Sequence, residues 1–445
     1  HPTKKHGTGS RRYYWFTSVS AQINKIIMAN RRAFMKSGAL ALFATGISGL
    51  PRFITEAAAG TQMLPMYKKN KTLVCIFQRG AMDGLMAVTP FADPALQLAR
   101  PGLFMSPTAG EGGSFNLDDH FAMHPSLKSL FPYFNSKNLA VVHGVGSPNT
   151  TRSHFDAQDY MESGTPFAKG TASGWLNRAV GLLGHAPTPF SAVSVTSSLP
   201  RSLYGDADAI AINNLQDFSI QLKGNPMAAG KAASSFEQLY DQTTSELLNK
   251  TGKESFEALK ILKSNNIKNY QPANGAVYPN SALGNSLKQI ATLIKMDVGL
   301  EVGFAESGGW DTHFNQGTTN GIFARNLKDF SDSIAAFWQD LGERQDEVTL
   351  MTMTEFGRTV AQNGTGGTDH GRASCLFVLG NDVAGGKVYS NMGSLAKDKL
   401  EDNRDLPVTT DFRAVFSAVA ENHLQLKTNG NLFPDWTGAS LKMML

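Results

Sequence analysis

An α/β fold, with a mostly parallel central sheet sandwiched between helices, is predicted by three features of the sequence. Short, near-continuous apolar runs, such as residues 72–78 and 139–144, read as strands covered on both faces. Longer stretches with apolar residues every three or four positions read as amphipathic helices. The two kinds of segment alternate along the chain, the order expected of a sheet whose parallel strands are joined by crossover helices.

Taken in order, residues 72–78 form the first strand, and residues 90–120, rich in Pro, Gly and Ser, a long loop. Leu127, Leu130 and Phe131 give residues 124–134 helical spacing, and residues 139–144 are the second strand. A hydroxyl-rich loop over 145–155 then leads into a helix near 156–163. A helix over 174–183 and a short strand over 190–195 follow. Residues 200–285 are more polar, with helical patterning over about 234–262, and read as a helical cap or insertion beside the sheet. A helix over 286–295, with Asn285 as its N-cap, leads to a strand beginning at Val298. Phe323, Leu327, Phe330, Ile334 and Phe337 define a helix over 323–341. Residues 347–353 are the next strand, a Gly-rich loop over 364–371 precedes a strand around Cys375, and a helix over 412–420 closes the fold.

The chain has 445 residues, 41% hydrophobic and 18% charged, a composition typical of globular proteins. Its formal charge of +4 is unevenly placed: residues 1–60 hold nine bases and one acid, leaving 32 bases against 36 acids in the remainder. A mildly acidic body argues against nucleic-acid binding, which would put a basic patch on the folded part. In the first 60 residues, Arg31-Arg32-Ala-Phe-Met-Lys36 precedes a short, mild apolar run over 37–50, with Ala57, Ala58 and Ala59 offering small residues for cleavage. A paired arginine before such a run resembles a twin-arginine export signal. The run is too short and too rich in Gly and Ala for a stable membrane span. Met28 is then the expected start. The expected organisation is an extension and signal over 1–60 and an α/β domain over 61–445. The expected destination is the periplasm or the exterior, with the twin-arginine export machinery as partner. Cys75 and Cys375 each lie in a strand-like run and read as buried thiols; spacing alone leaves a disulfide open.

The chemistry gathers at the strand ends. Asp83 follows the first strand, and Asn149-Thr150-Thr-Arg152-Ser153 follows the second. Glu306-Ser-Gly-Gly-Trp-Asp311-Thr-His313 follows the strand that begins at Val298, with Asp311 and His313 two apart, so that on an extended segment both point the same way. Glu355 and Arg358 follow the strand over 347–353, and Asp369-His370 lies in the Gly-rich loop. In a parallel sheet these segments collect along one edge, where open α/β sheets place their ligands. Carboxylates and imidazoles converging there suit a divalent cation such as Zn, Mn or Ca. Two metals about 4 Å apart would clamp a phosphoryl or sulfuryl group, with Thr150 attacking and Arg152 or Arg358 holding the ester oxygens. A plainer reading of the 149–155 loop is an ordinary helix N-cap.

Several stretches carry a family likeness: Gln78-Arg-Gly-Ala-Met-Asp-Gly84, Ser153-His-Phe-Asp-Ala-Gln-Asp159, Gly309-Trp-Asp-Thr-His313, Thr354-Glu-Phe-Gly-Arg-Thr359 and Gly367-Thr-Asp-His-Gly371. They resemble the secreted, twin-arginine-signalled family known as domain of unknown function 1501, within the alkaline phosphatase and sulfatase-like superfamily. The resemblance implies an alkaline phosphatase-like sheet with a bimetal edge and makes Asp83 the metal-binding aspartate of the first strand. Asn149-Thr150-Thr-Arg-Ser-His154 resembles the nucleophile loop of cofactor-independent phosphoglycerate mutases, which implies Thr150 as nucleophile with Ser153 and Thr151 as rivals. Asp311 and His313 match a ligand pair at shortened spacing. Two registers stay open for the rest. Either Glu355 replaces a ligand aspartate and His370 is the final ligand, or Asp369-His370 is the ligand pair itself. The expected function is an exported metal-dependent hydrolase of phosphate or sulfate esters, acting on a small-molecule or glycan ester. The alternative is an exported binding protein that keeps the fold with a degenerate metal site.

Overall fold

A computed structural model describes residues 71–107, 113–184, 187–215, 270–427 and 430–445. The expected leader over 1–60 and the helical patterning over 234–262 lie outside the described residues.

Twelve strands are described. β1 (Thr72–Gln78), β5 (Leu139–Gly146), β6 (Ala192–Ser194), β7 (Ile210–Ala211), β8 (Val302–Ser307), β9 (Val348–Met353), β10 (Ser374–Gly380), β11 (Lys387–Tyr389) and β12 (Thr410–Asp411) form one nine-stranded sheet. Its order is β11-β5-β10-β9-β1-β8-β6-β7, with β12 also pairing with β5. Every described pairing in it is parallel except those of β10, which runs antiparallel to both β5 and β9. The architecture is therefore a mixed, mostly parallel sheet. β2 (Val88–Thr89), β3 (Phe115–Asn116) and β4 (Ala122–Met123) form a separate small antiparallel sheet.

The α-helices among the described residues are α1 (Gly84–Ala87), α2 (Pro94–Ala99), α3 (Phe131–Asn135), α4 (His154–Ser163), α5 (Trp175–Gly181), α6 (Ala282–Lys295), α7 (Ile322–Leu341) and α8 (Phe412–Asn422). The side-chain alternation of β1 explains the layering. Val74 and Ile76 enter a core with Leu287 and Ile290 of α6 and Phe323, Leu327 and Phe330 of α7. Leu73, Cys75 and Phe77 enter a second core with Trp175 of α5 and Phe416 of α8. Both faces of the strand are thus covered, which is why its run is apolar throughout.

Some local expectations are corrected. α6 starts at Ala282, not at 286, because Ser281, in extended backbone, accepts from the Gly284 amide with its hydroxyl and caps the helix; Asn285 lies inside it. The helical spacing over 124–134 resolves into a 3₁₀ turn (Pro125–Leu127) and α3. Pro132 has no N–H to continue a helix from the preceding turn but fits the first turn of a new one. The loop over 90–120 contains α2 and β3. Cys75 and Cys375 are free and buried in opposite cores, one on each side of the sheet, so they form no disulfide. Burial pushes both thiols far up from the ordinary range.

Candidate metal centre

The strand directions bring the polar segments together. The carboxyl ends of β1, β5, β8 and β9 share one edge of the sheet and deliver Gly80, His154, Asp311 with His313, and Glu355. β10 is antiparallel, so the segment that precedes it, Asp369-His370, arrives at the same edge.

There three imidazoles and one carboxylate meet. His370 Nε2 lies 3.0 Å from His154 Nε2, 2.9 Å from His313 Nε2 and 3.3 Å from Asp311 Oδ1. Asp311 Oδ1 is also 3.5 Å from His154 Nε2 and 3.0 Å from His313 Nε2. The other ring nitrogens are all engaged. His154 Nδ1 meets Glu355 Oε1 at 2.8 Å, His313 Nδ1 meets Asp369 Oδ1 at 2.9 Å, and His370 Nδ1 meets the Arg152 carbonyl oxygen at 2.9 Å. Carbonyls and ionised carboxylates only accept, so each neutral ring carries its proton on Nδ1 and presents a bare lone pair at Nε2. Lone pairs and a carboxylate oxygen at this spacing repel unless a cation or a proton lies among them. Backing of the remote ring nitrogen by a carboxylate or carbonyl is the usual support of a metal-ligating histidine.

The spacing also fits a metal. Bonds of the length zinc makes to nitrogen and oxygen, in tetrahedral array, set donors about 3.3 Å apart. His154, Asp311 and His370 form such a group. His313 stands on the other side of the Asp311–His370 edge. A neutral imidazole has one lone pair at Nε2, so His370 serves a single ion. The donor set gathered here suits one cation.

Charge is tuned around the cluster. The Glu355 hydrogen bond holds the His154 imidazole above its usual range despite partial burial. Burial pushes the Glu355 carboxyl up, but hydrogen bonds from His154, Gln158 and the Gly80 amide outweigh it and leave it lowered. Partial burial likewise pushes Asp311 up, and the Arg358 guanidinium, 2.6 Å away, brings it below the ordinary range. The His313 hydrogen bond lowers Asp369, while burial lowers His370.

Two glycines allow this packing. Gly80 has φ +113, and a Cβ there would meet the Asp311 amide nitrogen at 2.6 Å. A Cβ at Gly367 would meet the backbone of His313 at 2.3 Å.

Other predicted site residues take different places. Asp83 is fully buried; its Oδ2 accepts from Arg100 at 2.8 Å and from Gln316 at 2.8 Å, and it joins no metal-capable group among the described residues. Arg358 has no exposed side chain. It donates to the carbonyls of Gly80, Ala81, Trp310 and Thr368 and to Asp311, so it braces the site and is closed to a substrate. The Arg152 side chain pairs with Asp402 and Asp405, and only its carbonyl reaches the cluster. Glu355 and Asp369 support His154 and His313 through Nδ1. Thr150 is exposed on the loop before α4, and Ser153 is the exposed N-cap of α4, making no side-chain cap bond.

His154 had no role in the sequence reading. The sequence reads it as the end of the hydroxyl-rich 145–155 loop, whereas α4 begins at His154 itself. The available signal was its position: the first helical residue after a buried parallel strand stands at the ligand edge of the sheet.

Comparison with known proteins places these features in a family. No curated protein matches the sequence. Among solved structures, the chain is similar to the C-terminal periplasmic domain of EptC from Escherichia coli in complex with Zn. The identity is 10% and the TM-score 0.35, over 71% of this chain and 74% of that one. It is also similar to alkaline phosphatase from the Antarctic bacterium TAB5, at 11% identity and TM-score 0.29, over 71% of this chain and 93% of that one. A family described as protein of unknown function, DUF1501, matches residues 70–435, and the chain belongs to that family.

Proposed function

We propose that this protein is a metal-dependent hydrolase of phosphate or sulfate esters, working with one divalent ion. The observation that carries the reading is the convergence of three imidazole Nε2 atoms and Asp311 Oδ1 at one edge of the sheet. His154, Asp311 and His370 would hold the ion, with His313 beside them. When bound, the ion supplies Lewis acidity toward the ester. Glu355, Asp369 and the Arg152 carbonyl fix the rings, and Arg358 keeps Asp311 ionised. Thr150, exposed four residues before His154, is proposed as the nucleophile, with Ser153 as its rival. Zn or Mn suits the histidine-rich donors better than Ca, which prefers an all-oxygen shell.

The sequence motif at Arg31-Arg32 supports export by the twin-arginine route to the periplasm or exterior. No described helix is long and apolar enough to cross a membrane.

The second reading is an exported binding protein without turnover. It is favoured by the closure of Asp83 and Arg358 to any ligand. Assay of aryl phosphates and sulfates by the Zn- or Mn-loaded protein separates the two. The hydrolase reading expects turnover that falls at least a hundredfold in His154→Ala and in Thr150→Ala. Bound metal with no turnover of either ester class contradicts it and selects the binder.

A further inference from the structure

We infer that Gln316 is a positioning residue of the metal centre: its amide locks the loop carrying Asp311 and His313 to the loop carrying Asp369 and His370, and both to the end of β1; the inference rests on the reading that the donor cluster holds an ion. Gln316, Thr312 and Thr368 are all buried. Thr312 lies between Asp311 and His313, and Thr368 immediately precedes Asp369 and His370. The Thr312 hydroxyl donates to Gln316 Oε1 at 2.8 Å, and the Thr368 hydroxyl donates to the same oxygen at 2.9 Å. At the other end of the amide, Nε2 donates to Asp83 Oδ2 at 2.8 Å and to Met86 Sδ at 2.9 Å.

Only one orientation of this amide is tenable. An ionised carboxylate only accepts, so Nε2 must face Asp83, and the two hydroxyls then meet Oε1 as donors. Both protons and both lone pairs of the amide are used, so it cannot turn without stranding a buried polar group. Its anchor does not move either, because Asp83 is held by Arg100 at 2.8 Å.

The partners come from three strand ends. Asp83 follows β1, Thr312 lies in the segment after β8, and Thr368 in the segment before β10. Backbone bonds close the same seam: the Thr368 amide donates to the Thr312 carbonyl at 3.1 Å and the Gln316 amide to the Gly366 carbonyl at 2.9 Å. These set how closely the loops approach. The hydroxyl bonds to one shared oxygen set how Thr312 and Thr368 are turned. Neighbours along an extended segment leave on opposite sides, so an inward-pinned Thr312 aims Asp311 and His313 outward at the cluster. Those two side chains are about half-exposed, so packing alone does not hold them. A metal site tolerates only about 0.5 Å of error in its donors, which makes the buried support under them decisive.

Zinc affinity, by competition with a chromophoric chelator, and the visible spectrum of the Co(II)-loaded full chain test this in two double variants. Thr312→Val with Thr368→Val keeps the shape and removes the hydroxyls; Thr312→Ser with Thr368→Ser keeps the hydroxyls and removes the methyls. The valine pair should bind zinc about tenfold more weakly, with an altered Co(II) spectrum, while the serine pair stays within about threefold of the native protein. Thr368→Val beside Thr368→Ser repeats the comparison with a smaller disturbance to folding. Leu287→Ala, in the core between the sheet and α6, controls for stability alone: it should lower the thermal midpoint and leave the affinity native. Native affinity and spectrum in the valine variants, equal weakening by serine and valine, or equal weakening by Leu287→Ala overturns the inference while leaving the centre in place. A native chain that binds neither zinc nor Co(II) overturns the centre and this role together.

Discussion

His154 depends on Glu355 for its tautomer. The Glu355 side chain is buried, and its Oε1 also accepts from the Gly80 amide and Gln158, so the ring has one orientation. Glu355→Gln keeps the shape but removes the charge behind Nδ1. Loss of such a support costs about 10–100-fold in metal affinity. We expect that weakening in competition with a chromophoric chelator, with little change in fold by circular dichroism; unchanged affinity would deny Glu355 this role. Legibility at this scale was uneven. Asp311, His313, Asp369 and His370 were readable because they sit on short Gly-bounded loops next to buried strands. Asp83 occupies an equally suggestive place, but its partner Arg100 comes from α2's C-cap and Gln316 from a distant loop. No local pattern announces such a pairing.

At the scale of elements, Asp83 and Arg100 join the start of α1 to the end of α2 as a buried pair: their side chains are 0% and 1% exposed. Removing one member leaves the other charged and buried, at a cost of about 3–5 kcal/mol. Arg100→Ala is expected to lower unfolding stability in urea by that amount. A loss below about 1 kcal/mol would contradict this role for the pair. Apolar replacement of both, as Asp83→Leu with Arg100→Leu, is expected to be far milder. The antiparallel course of β10 was not legible. A buried strand is apolar in either direction, and direction is set by where the chain returns to pair with β5 and β9. That reversal puts His370 at the site, since its loop precedes the strand.

For the whole molecule, acid is the informative stress. His124 and His143 are buried, and burial pushes both imidazoles down from 6.5 to about 4. His143 Nδ1 accepts from the Gly144 amide and His124 Nδ1 accepts from the Ser126 amide, arrangements that require the neutral ring. The unfolded chain therefore binds protons that the folded one refuses. The stabilisation is complete above about pH 6.5 and is lost as pH falls toward 4, by roughly 3 kcal/mol per histidine. Urea unfolding at pH 7 and pH 4.5 should show this decline, and His143→Gln should flatten it; equal stability at both pH values would contradict the burial argument. The layered sheet was readable from apolar runs and helical spacing because burial on both faces dictates composition directly. The convergence of distant loops was readable only as an edge, since the sequence gives no distances along it.

The central claim is that His154, Asp311 and His370 hold one ion at the carboxyl edge of the sheet. Elemental analysis of the purified protein beside His154→Ala tests it most directly. We expect about one equivalent of Zn or Mn per chain, lost in the variant while the thermal midpoint without metal stays the same. A metal-free native protein, two tightly held ions, or full metal retention in His154→Ala would contradict the account.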